Sequence, residues 1–175
     1  MVEVEIQQAR SFGLKRAKVI NVLSHENDQN LISLISINEF DIPTEFTPEA
    51  ISLAEQAQPV KISKGREDLR DINLITVDGD DARDFDDAIW AEKDKNPHNL
   101  NGWRMIVAIA DVAHYVSNGD PLDIDARKRG NSVYFADRVV PMLPENLSNG
   151  LCSLKPNEDR GCLAVEITID QFGHK

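Results

Sequence analysis

The stretch Ile72-Asn73-Leu74-Ile75-Thr76-Val77-Asp78-Gly79-Asp80-Asp81-Ala82-Arg83-Asp84-Phe85-Asp86-Asp87-Ala88-Ile89-Trp90 sets two apolar runs on either side of a loop crowded with carboxylates. Residues 72–77 read as a strand, 79–83 as a turn-competent loop and 84–90 as a returning extended segment, which carries Asp78 back towards Asp84. Six Asp and one Arg give the window 78–87 a charge of −5, nearly half of the −11 carried by the whole chain. Two carboxylates 4 Å apart repel by about 4 kcal/mol at an effective dielectric of roughly 20. Something must compensate that crowding. Strand alternation puts Asp84 and Asp86 on one face and Phe85, Asp87 and Ile89 on the other, so Asp87 is expected among apolar neighbours. A carboxylate there stays charged only when paired or metal-bound, and hard oxygen ligands suit magnesium or manganese. A solvated acidic turn is the plain alternative. An EF-hand calcium loop does not fit, because counting from Asp78 the sixth residue is Arg83 rather than glycine and the twelfth is Ile89 rather than glutamate.

Downstream, strands alternate with short helices. Trp103–Val112 (WRMIVAIADV) is a near-continuous apolar run of the sort buried on both faces of a sheet. Pro121–Arg129 reads as a helix stopped by Gly130, Ser132–Phe135 as a short strand and Leu163–Ile169 as another. Upstream, Val2, Val4 and Ile6 alternate with polar residues, and residues 18–23 form a second candidate strand. A helix holding Leu31, Leu34 and Ile35 follows, with Asp28 as its cap and Pro43 ending it. The next has Thr47 at the N-cap and Pro48 at the first helical position, and Pro59 closes it. A module boundary is placed near residues 58–66. The predicted architecture is α/β (α+β), a mixed sheet with short helices.

Across 175 residues, 41% hydrophobic and 28% charged composition supports a globular core. With 30 acidic against 19 basic residues, a simple basic nucleic-acid clamp or a binder of anionic membranes is disfavoured, and a polyanionic substrate would need cations. No apolar run reaches the roughly 18 residues that span a bilayer, and the N-terminus lacks the pattern of a secretion signal. A cytoplasmic protein without a membrane partner is expected. Cys152 and Cys162 are too few for a disulfide scaffold and read as buried thiols. His114, Trp90 and Trp103 read as structural residues, with Trp90 close enough to the acidic loop to report on metal.

Four blocks, LRDINLITVDGDDARDFDDAIW, VAIADVAHYV, PLDIDARKRGNSVYF and PMLPENLSNGLCSLKPNEDRGCLAVEITI, occur in this order. Together they closely resemble the opening of the RNB catalytic domain of the ribonuclease II and ribonuclease R family. The resemblance runs from about Arg66 to Asp170. It implies a processive 3′ to 5′ exoribonuclease that hydrolyses single-stranded RNA to nucleoside 5′-monophosphates, with magnesium as cofactor and manganese as a substitute. The family's acidic quartet falls on Asp78, Asp84, Asp86 and Asp87, and the aromatic that stacks on terminal bases falls on Tyr134. In a two-metal scheme Asp78 and Asp87 are ligands, Asp84 a ligand or a partner to the ligands, and Asp86 the residue that positions or activates the attacking water. Arg83 offsets its acidic neighbours and is a candidate phosphate contact. Arg127, Lys128 and Arg129 close a helix, where cations meet the dipole. Arg127 and Arg129 are also candidate RNA contacts. Residues 1–63 resemble more weakly the tail of a cold-shock-type barrel with a helical linker, and 64–175 the N-terminal portion of the catalytic domain. The family's second stacking aromatic, a catalytic arginine and a C-terminal RNA-binding barrel would lie beyond Lys175. The chain is therefore expected to be a fragment, inactive alone. The rival expectation is a catalytically silent module that binds RNA or protein through the same fold.

Overall fold

The computed structural model describes residues 2–7, 16–22, 31–63, 65–80 and 82–175. In chain order the elements are β1 (Val2–Gln7), β2 (Arg16–Val22), α1 (Leu31–Glu39), α2 (Pro48–Gln56), β3 (Asp87–Lys93), β4 (Trp103–Ala110), α3 (Pro121–Arg129), β5 (Val133–Tyr134), β6 (Val139–Val140) and β7 (Cys162–Ile169). A 3-10 turn at Val112–His114 and a π-helical turn at Leu147–Leu151 complete them. No described helix is long and apolar enough to cross a membrane.

The chain forms two compact units, residues 1–45 with 131–140, and residues 46–130 with 141–175. In the first, β1 and β2 make a two-stranded antiparallel ribbon. Helix α1 ends before Pro43, and its expected cap, Asp28, lies outside the described residues. Ser33 on α1 donates to the Asp137 carboxylate, and β5 pairs with β6.

The second unit holds the acidic loop. Helix α2 starts where its sequence says it should: the Thr47 hydroxyl accepts from Ala50 N at 3.3 Å, and Pro48 supplies the first helical residue. Asp120 caps α3 through Asp123 N at 2.8 Å, and Gly130, at φ 77°, ends it in a conformation that costs glycine least. The two helices meet at Asp125, whose carboxylate accepts from Thr47 N and Oγ1. A small core gathers Ala50 and Ala54 of α2, Leu122 of α3 and Ala110 of β4, with Leu143, Leu147 and Cys152 from the turn that follows.

The sheet of this unit runs β3-β4-β7, and every strand pair among the described residues is antiparallel. That corrects the expected mixed sheet. Residues 94–102 join β3 to β4 through a connection too short for a parallel crossover, so β4 can only return beside β3. Strand β4 is not buried on both faces either. One face carries buried Ala88, Ile106, Ala108 and Ala110, whereas Ile89, Ile109, Leu163 and Val165 stand exposed on the other. The expected strand at residues 72–77 reduces to a single antiparallel bridge, Ile75 to Ile89, with Val77 79% exposed. An apolar run forms a strand only where a partner edge receives it, and here one pair is received. Trp103 is likewise partly exposed rather than core, with Lys93 Nζ 3.9 Å above its ring.

Candidate functional site

The acidic loop is closed at its base by two reciprocal hydrogen bonds, Ile75 N to Ile89 O at 2.9 Å and Ile89 N to Ile75 O at 2.8 Å. Three residues on from Ile75 is Asp78, and three residues back from Ile89 is Asp86. The bridge thus aims the two limbs of the loop so that these aspartates face across it. The returning limb is tied down on its other side. Ala110 N donates to Asp86 O and Leu154 N to Phe85 O, both at 2.8 Å, and Phe85 N donates to Ser153 Oγ at 3.0 Å. Ser153 Oγ donates in turn to Arg83 O at 2.8 Å.

The other three quartet carboxylates act on Asp86. Asp86 holds its proton more tightly than an ordinary carboxyl, first because its surroundings remove water and then because Asp84, Asp87 and Asp78 add negative potential. The expected setting of Asp87 is not observed. Asp87 is exposed at the first position of β3, on the open face with Ile89, and it is Ala88 that turns into the core. The donor set is wholly carboxylate, which is the chemistry of a hard divalent cation, and its mutual repulsion is what such a cation relieves. The residues fit magnesium or manganese on that ground. Among the described residues no three such groups already stand in closed ligand geometry.

Beside the cluster lies a cleft of about 660 Å³ whose walls include Arg83, Glu145, Asn146, Asn149, Lys155 and Glu158. Two cations and two amides can receive phosphate and sugar oxygens there, with Glu145 and Glu158 on the same walls. Other candidates are placed elsewhere. Arg127 pairs with Asp123 one helical turn away at 3.1 Å and reaches Asn118. Arg129 lays its guanidinium 3.7 Å over the Phe46 ring and donates to Pro141 O at 3.3 Å. Both contacts hold α3 in its own unit. Tyr134, 63% exposed on β5, belongs to the other compact unit.

Several residues that support the site were not singled out in the sequence. Ser153 is one. Arg160 is another, its Nε donating to Gly150 O and to Ser153 O at 3.2 and 3.0 Å. Arg66 meets Asp111 at 2.6 Å, just past the end of β4. A lone serine or arginine in an irregular segment carries no periodicity or spacing by which to find it. Cys152 is buried beneath the loop, and its thiol is pushed up to about 11, by burial first and then by Asp86.

Comparison with known proteins returns one family. A model described as the RNB domain matches residues 66–174. Ribonuclease R of Vibrio parahaemolyticus is 47% identical over 178 residues, covering 99% of this chain and 20% of that protein. Ribonuclease R of Escherichia coli is 42% identical over 177 residues, covering 99% of this chain and 21% of that protein. The chain spans about a fifth of the length of these curated relatives. Among solved structures, Mycoplasma genitalium RNase R in complex with double-stranded RNA superposes with a TM-score of 0.79 at 32% identity, covering 99% of this chain and 31% of that one.

Proposed function

The chain belongs to the RNB domain family, and from that premise we propose that it forms the acid-bearing part of the active site of a 3′ to 5′ exoribonuclease acting on single-stranded RNA. The observation that carries the reading is the negative potential that Asp84, Asp87 and Asp78 add at Asp86, beside a cleft that presents Arg83 and Lys155. Asp78, Asp84 and Asp87 would hold the divalent cations, magnesium or manganese, which when bound polarise the scissile phosphodiester. Asp86, on which the other three act electrostatically, orients the attacking water through its carboxylate oxygens. Arg83 and Lys155 meet phosphate charge from the cleft side, and Tyr134 offers an exposed ring on which a base can stack, worth about 1 to 3 kcal/mol. Their electrostatic share of the work is large in such a reaction, because removing one preorganised donor typically costs about 100-fold to 1000-fold in rate.

The reading includes that the 175 residues act as part of a longer enzyme in the cytoplasm. Its support is the fraction of its relatives that the chain spans. The test uses end-labelled single-stranded RNA with manganese, the 175-residue chain and its Asp86→Asn variant, alongside calorimetric titration with manganese. The expected result is manganese binding that changes Trp90 fluorescence and disappears in Asp78→Asn with Asp87→Asn, without release of mononucleotides. Mononucleotides released by the wild-type chain and not by Asp86→Asn would withdraw the claim of incompleteness. Manganese binding that survives the double substitution would withdraw the ligands. RNA binding indifferent to manganese and to all four aspartates would favour a silent binding module.

A further inference from the structure

We propose that Ser153 is a positioning residue for the acidic cluster, holding the backbone on both sides of Asp84 and so the cluster's discrimination between small and large divalent cations. The inference rests on the metal reading above. Ser153 is fully buried at 0% exposure, yet it sits in an irregular segment between the π-helical turn and β7. A polar side chain in that position is tolerated only when its hydrogen bonds are made, and both are made to one target. The hydroxyl accepts from Phe85 N and donates to Arg83 O, so a single oxygen bridges the backbone on the two sides of Asp84. Leu154 N fastens Phe85 O from the next residue, and Arg160 holds the Ser153 carbonyl from behind. Residues 83–85 are thereby pinned to a segment some 70 positions away rather than to their own neighbours.

The consequence is mechanical. Asp84, Asp86 and Asp87 repel one another and Asp78, and a loop free to respond would spread them apart. The Ser153 bridge denies residues 83–85 that relaxation, as do Ala110 N at Asp86 O and the start of β3 at Asp87. Of these ties only the serine is made by a side chain, so only it can be removed by substitution without altering a backbone amide. Calcium accepts six to eight oxygens in flexible geometry, whereas magnesium demands near-ideal octahedral placement at short distance. A cluster whose backbone is held in place can discriminate between cations by size, and a slackened one loses that discrimination first.

The experiment titrates the 175-residue chain, Ser153→Ala and Asp125→Asn with manganese by calorimetry, then with magnesium and calcium as competitors. Asp125→Asn, on α3 and outside the cluster, is the destabilised control. Ser153→Ala should lower manganese and magnesium affinity about tenfold or more, the range for outer partners of metal ligands, while calcium affinity falls less than about threefold. The control should melt lower with all three affinities unchanged. Should Ser153→Ala not fold, Ser153→Cys, which fills the same space with a weaker donor, carries the same comparison. Manganese affinity within threefold of wild type, or equal losses for magnesium and calcium, overturns the positioning role. Absence of manganese binding in the wild-type chain overturns instead the metal reading of the cluster.

Discussion

Replacing Asp125 by alanine should cost the second compact unit about 3 kcal/mol of stability. The carboxylate is 5% exposed on α3 and its Oδ2 receives two donors from the start of α2, Thr47 N at 2.7 Å and Thr47 Oγ1 at 2.9 Å. Hydrogen bonds to a charged group contribute about 1.5 to 3 kcal/mol each, and two that share one oxygen are not additive. Lys128 stands 3.6 Å away with its side chain 63% exposed, so its pairing adds no more than about 1 kcal/mol. Alanine would leave the Thr47 amide without its acceptor and loosen the cap that starts α2. Asparagine, keeping the shape and one neutral acceptor, should cost about half as much. Urea unfolding is the assay, and with a slope of roughly 2 kcal/mol per molar the alanine midpoint should fall by about 1.5 M. The pH dependence has a definite sign. Burial favours the protonated acid, but the Thr47 donors and Lys128 outweigh it, and the folded carboxyl lies below the ordinary carboxylate range. The contribution is therefore complete above about pH 4, where the unfolded carboxylate is ionised, and is lost as pH falls through the depressed folded value. An alanine variant within 0.5 kcal/mol of wild type, on the order of an ordinary surface substitution, would refute the reasoning. So would a gap between the two that stays constant from pH 6 down to the acid limit of folding.

Cys152, with a thiol pushed up to about 11, should resist a disulfide reagent at pH 8 in the native chain and react fully in urea, while native-state labelling at the unfolded rate would place it outside the core. Tyr134→Ala in the longer enzyme should lengthen the final products rather than stop degradation, because base stacking holds a short RNA after its other contacts have run out; identical end products on a gel would remove Tyr134 from the RNA path.

What the sequence determined alone was local chemistry and residue identity. The Thr47-Pro48 start of α2 and the Gly130 end of α3 are satisfied within a few residues of themselves, so they were legible without a fold. The acidic crowding was legible for a related reason, since six aspartates in ten positions must answer their own repulsion wherever the segment lies, while the choice of four among them is what the family resemblance implies. Partner choice was not legible. Residues 72–77 have strand composition, yet only Ile75 finds a partner, and the face of β3 that is covered carries Ala88 instead of Asp87. Arg129 looks like a surface cation at a helix end until Phe46 and Pro141 are brought against it. Ser153 gains its place in the site only when residues 83–85 are folded onto it from some 70 positions away. Hydrogen bonds within a turn are set by neighbours along the chain, whereas which face is buried and which hydroxyl crosses to which loop are set by surfaces that meet only in the tertiary structure.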